Sequence, residues 1–187
     1  MISISRAISE EGFIQDFLTR LALHSPIPMG NQSKRCSKNI KVSGAKTMKA
    51  RVKLVDGMMF VGESGSGHAV VMDGAPEYGG RNLGIRPMEM LLIGLGGCTA
   101  FDVVQILRKG REDVTDCDVE VSGERAETGP KVFTSIHIEY RVKGRNLASA
   151  KVERAIELSK EKYCSASIML GAVAKITHNW TVVEDAA

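Results

Sequence analysis

Residues 91–107 read LLIGLGGCTAFDVVQIL. The stretch is apolar enough for a long central helix, yet it carries Gly94, Gly96 and Gly97 in its interior. Each interior glycine costs a helix about 1 kcal/mol relative to alanine. Leucine or alanine would serve a plain core helix better, so the glycines predict a close approach by another element or a ligand. Cys98 sits beside that gap. Pro87 suits the first helical position and Glu89 the positive end of the helix dipole. Arg108 and Lys109 followed by Gly110 mark the C-terminal end. The helix is therefore expected from Pro87 to about Lys109, as a buried core element.

Upstream, KARVKLVDGMMFVGE (49–63) reads as a hairpin turning at Asp56-Gly57, and HAVVMDG (68–74) as a further strand. PEYGGRNLGIRP (76–87) is a loop rich in turn residues. Downstream, CDVEVSGE (117–124) predicts a short strand. VFTSIHIEYRVKG (132–144) alternates, with Val132, Ile136, Ile138, Tyr140 and Val142 on one face and Ser135, His137, Glu139, Arg141 and Lys143 on the other. Residues 147–163 form an amphipathic helix, 164–175 a second apolar helical stretch, and ITHNWTVV (176–183) a closing strand. Strands, a long helix, strands, helices and a strand make an α+β fold rather than alternating βαβ units.

The 187 residues suffice for one domain with an appendage. Residues 1–47 are read as an N-terminal extension, either disordered or the product of a start assigned upstream of Met48; residues 48–187 are the folded domain. The net charge of +3 is concentrated in the extension, which has 7 Lys/Arg against 3 Asp/Glu, while the remainder has 18 against 19. A nearly neutral domain gives no case for nucleic-acid binding. The N-terminus lacks a secretory h-region, and its acids argue against a transit peptide. Residues 91–107 are too short, and too closely flanked by charge, for a membrane span. The expectation is a cytoplasmic protein without nucleic-acid or membrane partners.

The cysteines are Cys36, Cys98, Cys117 and Cys164. None forms a Cys-x-x-Cys pair. His24, His68, His137 and His178 have no ligand spacing, so neither a metal nor another cofactor is expected. Cys36 reads as an incidental linker thiol and Cys117 as packing. Cys164 stands at the start of a short helix, where free N–H groups favour a thiolate.

The segment RPMEMLLIGLGGCTAFDVVQILRKGR, followed by KYCSASIML, resembles the OsmC/Ohr family of thiol-dependent peroxidases, in its less-characterised branch. The resemblance spans roughly residues 49–183. It implies an intertwined homodimer whose central helices pack together, with active sites at the subunit interface. It also implies reduction of organic hydroperoxides: Cys98 becomes a sulfenic acid, condenses with Cys164 to a disulfide, and is restored by a dithiol reductant, in relatives often a lipoylated protein. Met58, Met59, Phe60, Phe101 and Met169 are candidates for an alkyl pocket, and equally for plain packing. The same fold used as a non-catalytic binding or stress-response module is the alternative.

The chain departs from the family pattern at the groups that assist the first cysteine. The position ten before Cys98, where relatives carry a glutamate, is Met88; Glu89 follows it. Nine helical steps place Glu89 and Cys98 on opposite sides, about 13 Å apart along the axis. Glu89 therefore assists only across a dimer interface, or serves as a favourable helix-terminal charge. The arginine of relatives has no counterpart in GESGSGHAVV. In the loop before the helix, Arg81 is preferred to Arg86, because Gly79 and Gly80 let that loop fold over a site.

Overall fold

The computed structural model of the protein describes residues 47–185. The expectations for residues 1–46, the N-terminal extension and its linker thiol Cys36, lie outside the described residues.

Three strands come first: β1 (Ala50–Asp56), β2 (Met59–Ser64) and β3 (Ala69–Met72), an antiparallel meander in the order β1-β2-β3. Gly57, with φ +56°, takes the left-handed turn position that only glycine occupies without strain, so the hairpin closes where the sequence predicts. The whole of β1 is exposed. Among the described residues the meander packs only thinly on the rest of the chain, through a parallel bridge between Met72 and Ile85 and few other contacts.

The loop after β3 is organised by Asp73, which is buried. Its carboxylate accepts backbone N–H bonds from Gly74 at 2.8 Å and from Arg81 and Leu83 at 3.0 Å each. The Leu83 bond leads in holding the Asp73 carboxyl below its ordinary range, against the opposing effect of burial. Gly84 lets the returning chain press on β3, since a Cβ there would stand 2.7 Å from the Val71 carbonyl oxygen.

Helix α1 runs from Pro87 to Lys109, as the sequence predicts. Strands β4 (Asp113–Arg125), β5 (Phe133–Arg145) and β6 (Lys175–Glu184) form the second sheet, in the order β4-β5-β6. β4 and β5 are antiparallel; β5 and β6 are parallel. A parallel pair needs a crossover. It is supplied by α2 (Ser149–Leu158), a π-helical turn (Ser159–Tyr163) and α3 (Ser165–Gly171). The core joins Leu95, Val103 and Leu107 of α1 to Ile136, Ile138, Tyr140 and Val142 of β5 and to Val152, Ala155 and Ile156 of α2. A fully buried aliphatic side chain of this size contributes roughly 1.5–3 kcal/mol, and α1 is held between β4 on one side and the crossover helices on the other, over this shared core.

Four details differ from the sequence reading. β4 starts earlier than CDVEVSGE, at Asp113, because a ladder irregularity between Val114 and Asp116 breaks the alternation there. Val132 is exposed and Phe133 takes the inward place, since an irregularity in the β4–β5 ladder between Glu124 and Arg125 shifts the register there. The helix of 147–163 does not run through; it passes into the π turn at Ser159. Finally, α1 is only partly a core helix. Its buried residues are Leu95, Gly96, Thr99, Val103 and Leu107, while Leu91, Ile93 and Phe101 are exposed. The helix is long and apolar enough to cross a membrane by composition, but here one flank of it packs on β4 and β5.

Candidate functional site

Cys98 and Thr99 lie mid-helix in α1, and Asp102 follows Cys98 by four residues, one turn on the same face. Cys164 ends the π turn and is the N-cap of α3. The crossover carries Cys164 back over α1. As a result the sulfurs of Cys98 and Cys164 and a carboxylate oxygen of Asp102 all lie within 4.8 Å of one another. All three described cysteines are free thiols.

Cys164 is fully buried, and Cys98 and Asp102 are half-buried. The Cys164 sulfur accepts the Ser167 backbone N–H at 3.4 Å, using one of the free donors of the α3 N-terminus. Burial nevertheless dominates and pushes the Cys164 thiol above its ordinary value; Ser167 opposes the rise and neighbouring Cys98 adds to it. The helix start therefore moderates the burial effect without overcoming it.

A chain of hydroxyls backs the cluster. Ser159 Oγ donates to Asp102 Oδ2 at 3.3 Å, and Thr99 Oγ1 lies 3.0 Å from Ser159 Oγ and 2.7 Å from the Tyr140 hydroxyl. A carboxylate only accepts. With Ser159 donating to Asp102, Thr99 donates to Ser159 and Tyr140 donates to Thr99, so every proton in the chain points towards Asp102. Burial pushes the Tyr140 phenol up to about 12, which keeps it a neutral donor. The π turn is the device that presents Ser159 inward and then releases the chain into Cys164, whose N–H bonds the Ser159 carbonyl at 2.8 Å.

The sequence reading named the two thiols but missed Asp102, Ser159, Thr99 and Tyr140. The Cys98–Asp102 spacing was a usable signal; Ser159 and Tyr140 had none, since their roles depend on a register between distant segments.

The other predicted residues lie elsewhere. The Arg81 guanidinium pairs with Asp56 at 2.8 Å on the surface. Glu89 accepts the Arg86 backbone N–H at 2.9 Å and closes the capping box of α1, the helix-terminal role that its spacing from Cys98 leaves open to it within one chain. Met58 lies at the hairpin turn against the Gly74 and Gly79 backbone, and Phe60 is half-buried in β2. Phe101 is 64% exposed on α1, one turn beyond Cys98, and Met169 is 68% exposed on α3. These four do not form one wall within a single chain. A cleft of about 380 Å³ beside α1 is lined instead by Leu92, Ile93, Gly96, Gly97, Cys117 and Val121. Cys117 in this cleft is pushed up to about 11, first by burial and then by Asp116 and Asp118, so it is a protonated packing thiol at neutral pH. His137 is part-exposed and bonds Thr177 at 2.7 Å.

The glycines of α1 divide by task. A Cβ at Gly96 would come 3.1 Å from Val121 Cγ2, so β4 is the close neighbour there. Nothing lies within 4 Å of a Cβ built at Gly94 or Gly97.

Comparison with known proteins places this fold in a family. The model of the OsmC-like protein family matches residues 79–179, which include both thiols and the crossover. Protein YhfA of Escherichia coli K12 is 50% identical over 139 residues, covering 73% of this chain and 98% of YhfA. A protein of known structure from Aquifex aeolicus is 28% identical with a TM-score of 0.67, covering 76% of this chain and all of that one. An organic hydroperoxide resistance protein OsmC from Legionella pneumophila shares the fold at 15% identity and a TM-score of 0.58, covering 75% of this chain and all of that one. With its paired-thiol crossover and this extent of matching, the chain belongs to the OsmC-like protein family.

Proposed function

We propose that the protein is a thiol peroxidase that reduces organic hydroperoxides. The observation that carries this reading is the convergence of the Cys98 and Cys164 sulfurs, within 4.8 Å, from two different helices. In the proposed cycle the Cys98 thiolate attacks the terminal peroxide oxygen. An S–O bond forms, the O–O bond breaks, and the alkoxide leaves as an alcohol after taking a proton. Asp102 is placed to accept the thiol proton and return it to the alkoxide, because a carboxylate oxygen lies within 4.8 Å of both sulfurs. The Cys164 thiol then displaces water from the Cys98 sulfenic acid to give a disulfide. An external dithiol, such as a lipoylated protein, reduces it by exchange and is itself oxidised to a disulfide.

The proposed active unit is a homodimer. Supporting this are the exposed apolar residues Val52, Leu54 and Val55 on β1, Leu91, Ile93 and Phe101 on α1, and the open space over Gly94 and Gly97. A second copy covering these surfaces offers Arg81, Met58, Phe60 or Met169 a route to the thiols that a single chain does not. One observation favours the alternative of a binding module without catalysis: Arg81 and Glu89 are each engaged by a residue of their own chain, Asp56 and Arg86.

The test is peroxide consumption by the reduced protein with cumene hydroperoxide, followed by peptide mapping. The expected result is one Cys98–Cys164 disulfide per peroxide reduced, and no consumption by Cys98→Ser. Consumption by Cys98→Ser at the wild-type rate overturns the reading in favour of the binding module.

A further inference from the structure

We propose that the reduced protein binds one zinc-class divalent ion through Cys98, Asp102 and Cys164, with a fourth position open to water or to a ligand from outside. The proposal goes beyond the peroxidase reading and stands without it. It also departs from the sequence expectation of no metal, which rested on the lack of a Cys-x-x-Cys pair and of histidines at ligand spacing.

Three donor atoms within 4.8 Å of one another are close enough for one ion of modest radius to touch all three after small side-chain rotations. The donor set decides the kind of ion. Two sulfurs and one carboxylate suit zinc and its thiophilic neighbours, whereas calcium and magnesium need six or more oxygens. Three protein ligands with one open position is the pattern of sites that bind exchangeable ligands rather than purely structural ones.

The support around the donors is what a random meeting of polar side chains lacks. Ser159 donates to Asp102 Oδ2, which fixes the carboxylate plane and leaves lone pairs free for an ion. Thr99 and Tyr140 hold Ser159 in turn. Cys164 is anchored by the Ser167 N–H at the start of α3. All three donors sit on or at the end of helices, so the geometry is rigid. Binding replaces thiol protons, and two thiols plus one divalent ion give two metal–sulfur bonds and up to two free protons. A Cys98–Cys164 disulfide removes two of the three ligands. The ion and the disulfide are therefore mutually exclusive, and the ion shields the thiols while it is bound.

The experiment uses the full chain with Cys36→Ser and Cys117→Ser, reduced, stripped of metal with a chelator, and titrated with Co²⁺ in the absence of peroxide. One equivalent is expected to give thiolate-to-cobalt charge-transfer absorption in the near ultraviolet and intense visible bands of four-coordinate cobalt, both displaced by one equivalent of Zn²⁺. Asp102→Asn is expected to weaken binding at least tenfold, and Ser159→Ala roughly tenfold. The disulfide form of the same protein, made with diamide, should show no bands, a loss that misfolding of a variant cannot explain. Absence of the bands at millimolar Co²⁺, or their persistence in the disulfide form, overturns the proposal. Because peroxide is absent, that result is separate from any failure of the peroxidase reading.

Discussion

Ser159 and Asp102 meet across the α1–crossover seam, hydroxyl to carboxylate at 3.3 Å, and this contact ties the turn that presents Cys164 to the helix that carries Cys98. The two thiols are thus held by one continuous polar chain rather than by two independent elements. Removing any hydroxyl of that chain should be felt both in stability and at the sulfurs.

Thr99 is the middle of the chain and touches both Tyr140 and Ser159. Thr99→Val keeps the shape but leaves the buried Tyr140 hydroxyl without its partner. An unsatisfied buried polar group costs about 1–3 kcal/mol. The urea midpoint should fall accordingly, while Tyr140→Phe combined with Thr99→Val should recover part of the loss, because both partners are then gone. A double variant no more stable than the single one would show that the bond carries little.

If Cys164 resolves the sulfenic acid, Cys164→Ser should consume one equivalent of peroxide and stop. The trapped Cys98 sulfenic acid should react with dimedone, giving a mass shift on the Cys98 peptide alone. In the wild-type protein the disulfide-forming step should speed up as pH rises, since burial raises the Cys164 thiol and the thiolate is the better nucleophile. Stopped-flow traces across pH 6–10 would check the direction.

His178 supplies a pH dependence of stability with a definite sign. Its ring stacks on Tyr140 with centroids 6.1 Å apart, and burial, aided by Lys160, lowers it from 6.5 to about 4. The folded state therefore holds this histidine neutral where the unfolded chain protonates it. Stability is fully present above about 6.5 and is lost as pH falls towards 4. Denaturation midpoints measured from pH 7 to pH 4 should decline in the wild-type protein and decline less in His178→Gln. Equal slopes would remove the assignment.

The two kinds of glycine in α1 should separate by measurement. Gly96→Val forces a side chain against Val121 and should cost about 1–3 kcal/mol by overpacking. A Cβ at Gly97 has no neighbour within 4 Å and the position opens on the cleft beside α1, so the isolated fold should tolerate Gly97→Leu. If a second copy packs over that face, sedimentation should register a shift towards monomer for Gly97→Leu and none for Glu153→Gln on the exposed side of α2. A dimer undisturbed by Gly97→Leu would place the interface elsewhere.

The sequence by itself determined the order of elements, the limits of α1 and the helix-start position of Cys164, because these rest on local preferences: apolar period, a proline and glutamate at one end, a glycine after basic residues at the other. It also placed Glu89 on the wrong side of α1 for Cys98, which helix geometry alone settles. Only the tertiary structure decided that the crossover lays Cys164 over Cys98, that a π turn aims Ser159 at Asp102, and that Phe133 rather than Val132 faces inward. Each of these depends on register between segments far apart in the chain, and register is set by the packing of whole faces. No local preference of the residues involved encodes it.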